Sequence, residues 1–161
     1  MEIERKFLLR QRPDLPVLKE MDIYQGYLSF QPEVRIRSRR VLSGPEEGRM
    51  DYFLTIKGQG DLAREEVETQ VPEDFFRRAA ALLPFPMIHK HYTCYEHEGY
   101  LLECSLVDEG EPTSFLYGEV EFDDRETALA YQWPFPGAQD ITYDKEYKMS
   151  RYCKKKCGEI S

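Results

Sequence analysis

Charged and apolar residues alternate along several short segments of this chain, and the alternation limits how it can fold. Side chains in a β-strand point to the two faces of the sheet in turn, so residues two apart share a face. Glu2, Glu4 and Lys6 therefore share one face of a strand whose other face carries Ile3 and Phe7. The same spacing places further polar pairs on single faces: Arg35 with Arg37, Thr55 with Lys57, Glu66 with Glu68, and Glu119 with Glu121.

Eight segments rich in Val, Ile, Tyr and Phe lie between turn-forming residues, and we predict that they are strands. They are residues 2–9, 22–30, 33–41, 50–57, 64–71, 87–96, 100–107 and 116–122. Strands at this spacing predict an antiparallel sheet that closes, or nearly closes, into a barrel.

Helices are predicted over residues 73–83, 124–132 and about 145–156. The second would have Asp123 as its N-cap, with Glu126 completing a capping box. The length of 161 residues indicates a single domain, residues 1–161.

The charge balance and the N-terminal sequence argue against several classes of partner. There are 22 Lys and Arg against 30 Asp and Glu, a net charge of −8, whereas a general nucleic-acid binder needs a basic surface. The first residues lack the apolar run of a signal peptide, and no stretch is apolar enough to span a bilayer. We therefore expect a cytoplasmic protein with no membrane partner, free thiols at its four cysteines, and a solvated Lys154-Lys155-Lys156 tail.

The charged strand faces allow two interpretations. Antiparallel sheets commonly turn one face to the core and one to water, so these faces could simply be solvated. However, the acids and bases are sorted into Glu-x-Glu and Arg-x-Arg pairs, which a solvated face does not require. If the sheet closes with these faces inside, the buried charges need partners. Because carboxylates bind Mg²⁺ or Mn²⁺ and Arg and Lys bind phosphate oxygens, this second interpretation predicts a metal–polyphosphate site.

Short motifs along nearly the whole chain resemble those of one protein family. Residues 2–6, EIERK, match the ExExK signature of the CYTH superfamily, also called the triphosphate tunnel metalloenzymes. Seven further segments follow in the family's order: YQGYL at 24–28, VRIR at 34–37, LTIKG at 54–58, REEVE at 64–68, IHK at 88–90, GEVE at 118–121 and DIT at 140–142.

The resemblance implies an α+β, mainly β fold, an eight-stranded antiparallel β-barrel (tunnel) with helices packed outside. It also implies a Mg²⁺- or Mn²⁺-dependent triphosphatase that acts on inorganic triphosphate or a small organic triphosphate. By position, the catalytic residues would be Glu2, Glu4 and Lys6. The substrate-binding residues would be Lys6, Arg35, Arg37, Lys57 and Lys90. The metal ligands would be Glu2, Glu4, Glu119 and Glu121, with Glu66 and Glu68 either sharing the metal or holding the basic side chains.

Three positions depart from the family pattern. Tyr92 and Glu146 stand where the family has arginine, and Ser105 stands where it has aspartate. The candidates to compensate are Arg39, Arg40 and Lys145. Two alternatives to the triphosphatase therefore stay open: a class IV-type adenylyl cyclase, and a polyphosphate- or nucleotide-binding protein with a partly decayed active site.

The histidines on either side of Lys90 are predicted to lie outside the site. If Lys90 faces inward, its neighbours His89 and His91 face the other way. We therefore interpret them as surface or packing residues. The expected partner is a small-molecule triphosphate, and a homodimer is left open.

Overall fold

Antiparallel strands make up nearly half of residues 1–158, the residues that the computed structural model describes. The last three residues of the predicted domain 1–161 lie outside this range. In chain order the strands are β1 Glu2–Leu9, β2 Lys19–Phe30, β3 Glu33–Val41, β4 Met50–Lys57, β5 Ala63–Arg64, β6 Glu66–Gln70, β7 Ile88–His97, β8 Tyr100–Val107, β9 Phe115–Phe122 and β10 Ala138–Asp140. The helices are α1 Glu73–Ala80, α2 Arg125–Ala130 and α3 Met149–Lys156, with a 3₁₀ helix at Lys145–Tyr147.

The strands close into a ring. They are hydrogen-bonded in the order β1-β9-β8-β7-β2-β3-β4-β6, and β5 pairs back to β1. Only Glu65 separates β5 from β6, so the two act as one strand that links β4 to β1. Closure rests on two residue pairs, Glu2 with Arg64 and Ile3 with Ala63. The predicted eight-stranded antiparallel barrel is thus confirmed.

One short strand was not predicted. β10 pairs with the second half of β1, from Phe7 opposite Asp140 to Leu9 opposite Ala138. Its three residues are too few to show an alternating pattern. It covers the part of the β1 edge that β5 leaves open, so those backbone groups are hydrogen-bonded.

The largest apolar cluster lies on the outside of the barrel wall. Phe7, Leu102 and Val120 are buried there and alternate with the charged residues of their strands. Their cover comes from Ala128 of α2 and from the loop that contains Trp133. The apolar faces therefore form a core against helix and loop, which leaves the polar faces to line the barrel interior.

The helices are shorter than predicted, and one cap was wrong. The N-cap of α2 is Asp124, not Asp123, because the Asp124 carboxylate accepts a hydrogen bond from the Thr127 amide at 2.7 Å. Glu126 therefore completes no capping box with Asp123. The helix predicted from Lys145 divides at Lys148, whose extended backbone (ψ 137°) separates the 3₁₀ helix from α3.

Helix α3 packs across one end of the barrel. Its Met149 and Tyr152 pack against Tyr27 and Tyr117, which are almost fully buried. The buried carboxylate of Asp108 accepts hydrogen bonds from Tyr152 Oη at 2.6 Å and Lys156 Nζ at 2.9 Å. These contacts attach α3 to the barrel.

The terminal lysines are not the solvated tail that the sequence suggested. Lys154 lies over the Phe30 ring, Lys155 pairs with Glu146, and Lys156 pairs with Asp108. All four cysteines are free, as predicted. Within residues 1–158, none of the helices has the length and apolar character needed to cross a membrane.

Candidate active site

The charged strand faces line one interior cavity of about 290 Å³. This is close to the lower limit of small-molecule sites. Eight of its lining residues are Lys or Arg, and ten are Asp or Glu. All of the predicted site residues lie on its wall: Glu2, Glu4, Lys6, Arg35, Arg37, Lys57, Glu66, Glu68, Lys90, Glu119 and Glu121. A simple solvated face does not describe this wall, because Arg35, Lys57 and Lys90 are only 8%, 5% and 6% exposed.

Three carboxylates converge on the acidic side of the cavity. One oxygen each from Glu2, Glu4 and Glu121 lies within 4.8 Å of the other two. Strand pairing explains this, because Glu4 is directly opposite Glu121 and Glu2 is two residues earlier on the same face of β1. A set of carboxylate oxygens, with no thiolate or imidazole in it, fits a hard divalent cation such as Mg²⁺ or Mn²⁺.

Glu119 lies beside this cluster, on β9 across from Lys6. Burial and the negative charge of Glu119 raise the pKa of Glu4 well above its usual range. Burial also opposes ionisation of Glu119, but Lys6 and the hydrogen bond from Glu4 lower the pKa of Glu119 to about 2. The pKa of Glu4 is thus raised and that of Glu119 lowered, so Glu119 ionises more readily than Glu4. If all of these carboxylates were ionised they would repel one another strongly, and a bound cation would relieve that repulsion.

Three cations of the cavity wall form no salt bridge with a carboxylate of residues 1–158, although one of them, Lys6, lies across from Glu119 in the strand register. Lys6 Nζ donates to the Tyr147 carbonyl at 2.7 Å and lies 4.3 Å from the centre of the Tyr117 ring. Lys90 Nζ lies 5.3 Å from the centre of the same ring. Arg35 is buried, and its Nε lacks an acceptor among the described residues.

The electrostatics around these three cations favour an anionic ligand. Burial, together with the charge of Arg35, lowers the pKa of Lys90 well below its usual range. Buried cations without partners are costly, and phosphate oxygens would satisfy them.

The other predicted cations are held by acids. Lys57 Nζ lies 3.0 Å from Glu2 and 3.7 Å from Glu66. Glu68 accepts hydrogen bonds from Thr55 Oγ1 at 2.8 Å and from Arg37 at 3.3 Å. Of the two roles predicted for Glu66 and Glu68, these contacts favour holding the basic side chains in place.

The departures from the family pattern have different surroundings. The Tyr92 hydroxyl donates to Glu103 at 2.6 Å, and both side chains line the cavity. Ser105 also lines it, but Glu146 lies outside, 2.8 Å from Arg151 Nε. Of the candidates to compensate, Arg39 lines the cavity, whereas Arg40 and Lys145 are exposed and are not part of its wall.

The two histidines face away from the cavity, as the alternation predicts. His89 Nε2 lies 2.8 Å from Asp22, and His91 Nε2 lies 2.9 Å from Glu20. Neither ring is part of the cavity wall.

Several charged residues of the wall were not predicted: Glu33, Asp61, Arg64, Glu103, Asp144 and Lys148. Three of them could have been found from the alternation, and one is Glu33, which shares a strand face with Arg35 and Arg37. Arg64 shares a strand face with Glu66 and Glu68, and Glu103 shares one with Ser105. Asp61, Asp144 and Lys148 lie outside the strands, where no alternation identifies the inward side.

The fold and the site together define a class of protein: a closed antiparallel barrel with carboxylates facing unpaired cations across its interior. No family model matches the chain. An inorganic triphosphatase from Nitrosomonas europaea is 33% identical over 148 residues, which cover 91% of this chain and 93% of that protein. The chain therefore belongs to the CYTH, or triphosphate tunnel metalloenzyme, family.

Two crystal structures agree with this assignment. One, of the inorganic triphosphatase NE1496, has a TM-score of 0.62 and 26% identity and covers 95% of this chain and 94% of that one. The other, of the hypothetical protein NE1496, has a TM-score of 0.62 and 27% identity, with coverages of 95% and 97%.

Proposed function

We propose that the protein is a metal-dependent triphosphatase whose substrate is inorganic triphosphate. One observation carries the proposal: Arg35 and Lys90, buried cations that form no salt bridge within residues 1–158, line the same cavity as the carboxylates of Glu2, Glu4 and Glu121. A chain of phosphates that carries divalent cations satisfies both sides at once. The relationship to an inorganic triphosphatase supports the same substrate.

The basic residues would bind and orient the substrate. Lys6, Arg35 and Lys90 would contact phosphate oxygens directly, because they line the cavity and form no salt bridge with an acid of residues 1–158. Arg37 and Lys57 would contact the same chain while Glu68 and Glu66 hold them. Positive charge fixed in this way stabilises the negative charge that develops on the leaving oxygens.

The acidic residues would hold the metal. Glu2, Glu4 and Glu121 are the proposed ligands, with Glu119 joined to them through Glu4. A bound Mg²⁺ or Mn²⁺ neutralises phosphate charge and lowers the pKa of a bound water. The carboxylates would also orient the attacking water towards the terminal phosphorus. Its oxygen forms the new P–O bond as the bond to diphosphate breaks, so the products are phosphate and diphosphate.

A phosphate-release assay tests the proposal. Purified protein is incubated with inorganic triphosphate and Mg²⁺ or Mn²⁺, and the Glu4→Gln and Lys6→Ala variants are compared with wild type. We expect each variant to lose at least about 100-fold in kcat/KM, the typical effect of removing one transition-state contact. EDTA should abolish the wild-type rate.

The matched controls are exposed residues outside the cavity. Glu126→Gln on α2 and Lys145→Ala on the 3₁₀ helix make the same chemical changes at a distance from the site. Both should keep the wild-type rate. Undiminished release from Glu4→Gln and Lys6→Ala, with folding intact by circular dichroism, would contradict the proposed site.

One observation favours a second candidate function, a polyphosphate- or nucleotide-binding protein without turnover. The Tyr92 hydroxyl, bonded to Glu103, occupies a position where the family pattern has a cation. Tight triphosphate binding with no metal-dependent phosphate release would support this alternative. Cyclic AMP formation from ATP would instead support the cyclase. A cytoplasmic location, a homodimer and a single domain over residues 1–161 stay predictions.

A further inference from the structure

A cation that no motif indicated lies beside the proposed substrate site. Lys148, between the 3₁₀ helix and α3, lines the cavity together with Lys6 and Arg64. The carbonyl of the preceding residue, Tyr147, accepts the hydrogen bond from Lys6 Nζ at 2.7 Å. The backbone next to Lys148 therefore touches one of the proposed phosphate-binding side chains.

The present partners of Lys148 are weak competitors for its ammonium group. Lys148 Nζ lies 2.8 Å from Asp61 Oδ1 and donates to the Gly60 carbonyl at 2.9 Å. The Lys148 and Asp61 side chains are 34% and 31% exposed, and ion pairs this open to solvent contribute little stability. Because a lysine ammonium sits on a flexible four-carbon stem, it can exchange one acceptor for another.

The C-terminal segment thus supplies a cation to the cavity, but at Lys148 and not at position 146, where the family pattern has an arginine. Glu146 stands at the arginine position, but it is exposed and pairs with Arg151 and Lys155. Two residues later, Lys148 reaches the cavity wall. The segment therefore still provides a positive charge for an anion, two residues later in the chain.

We propose that Lys148 is a further triphosphate-binding residue. When the substrate binds, the Lys148 ammonium group breaks its contacts with Asp61 and the Gly60 carbonyl and contacts a phosphate oxygen instead. The inference rests on the proposed function, because triphosphate is the ligand. A phosphate chain with several charged oxygens is a stronger acceptor than one half-exposed carboxylate. Asp61 is then a competitor of the substrate, so removing its charge helps binding.

The test compares Lys148→Ala, Asp61→Asn and the control Lys145→Ala with wild type. The dissociation constant for inorganic triphosphate is measured by calorimetry in EDTA, and KM is measured with Mg²⁺. Because the Lys148→Ala variant loses one charge-assisted contact, its dissociation constant for inorganic triphosphate should rise about tenfold. Asp61→Asn should bind as tightly as wild type or more tightly, and Lys145→Ala should be unchanged. Melting temperatures report whether each variant is folded.

The two variants separate a binding role from a purely structural one. If the Lys148–Asp61 pair only fastens the C-terminal segment to the loop at residues 58–62, both variants lose affinity by a similar factor. That result, or unchanged binding by Lys148→Ala, overturns the inference. Absence of phosphate release from the wild type would overturn the proposed triphosphatase instead, while the dissociation constants would still decide the role of Lys148.

Discussion

The Lys57 ammonium nitrogen lies 3.0 Å from the Glu2 carboxylate, and the pair joins the basic and acidic sides of the cavity. It also spans the closure of the barrel, because Glu2 is the β1 residue that pairs with Arg64 of β5. Lys57 and Glu2 side chains are only 5% and 13% exposed, so each is a poor site for an unpaired charge. An ion pair that spans the closure of the ring is therefore also part of the proposed site.

We predict that Lys57→Met lowers the free energy of unfolding by about 3 kcal/mol, because it removes the cation of the partly buried Glu66 and leaves Glu2 only the more distant Arg64, at 3.9 Å. Urea unfolding measures the change. Glu2→Gln and the Glu2→Gln/Lys57→Met double variant complete a double-mutant cycle, in which the double variant should lose clearly less than the sum of the single changes. Strict additivity would show that the pair contributes nothing to closure.

Replacing Lys90 should have opposite effects on two properties: it should stabilise the protein without ligand and weaken the binding of triphosphate. Lys90 is buried and forms no salt bridge with an acid of the described residues, so replacing it by an apolar side chain of similar length removes a desolvation cost. Without triphosphate, Lys90→Met should raise the melting temperature by roughly 3 °C, equivalent to about 1 kcal/mol. With triphosphate, the variant should lose most of the ligand-induced rise that wild type shows.

Thermal unfolding with and without inorganic triphosphate makes both measurements on one sample. Lys145→Met, at an exposed position of the 3₁₀ helix, is the control and should behave as wild type in both conditions. A Lys90→Met protein that melts lower than wild type yet keeps its full response to triphosphate would contradict the role given to Lys90.

Strand alternation was enough to predict which charged residues share a face, because the two faces of a strand are fixed by local backbone geometry; that these faces turn inward was one of two interpretations, which the family resemblance favoured. That is why Glu4, Arg35 and Glu119 could be assigned to one interior from the sequence. The same rule does not reach Asp61 and Lys148, which lie outside the strands and whose direction depends on how loop and C-terminal segment pack. Glu-x-Glu spacing also did not distinguish acids that converge, such as Glu121, from those that hold a base, such as Glu68.

The docking of α3 should depend on pH through Asp108. Burial opposes ionisation of this carboxylate, but hydrogen bonds from Tyr152 and Lys156 lower its pKa below the usual value. A lowered folded-state pKa means that the stabilisation is complete above about pH 4 and is lost as the pH falls through the folded-state pKa. We therefore expect wild-type stability to decline below about pH 4 partly through this group.

Asp108→Asn tests this dependence by urea unfolding across pH 2 to 7. The variant should lose about 2 kcal/mol at pH 7, because the charge-assisted hydrogen bonds are weakened, and less at low pH, where the wild-type carboxyl is protonated. Asp123→Asn, an exposed position, is the control. A difference between Asp108→Asn and wild type that stays constant over the whole range would contradict the role of the Asp108 charge.

We propose that one cavity binds a divalent cation through its carboxylates and a phosphate chain through its Lys and Arg side chains. A crystal of the Glu126→Gln or wild-type protein grown with Mn²⁺ and a slowly hydrolysed triphosphate analogue tests it directly through the anomalous signal of manganese. The account predicts a manganese peak bound by Glu2, Glu4 and Glu121, with phosphate density against Lys6, Arg35 and Lys90. Manganese and phosphate bound only on the outer surface of the barrel, with the cavity filled by water, would contradict it.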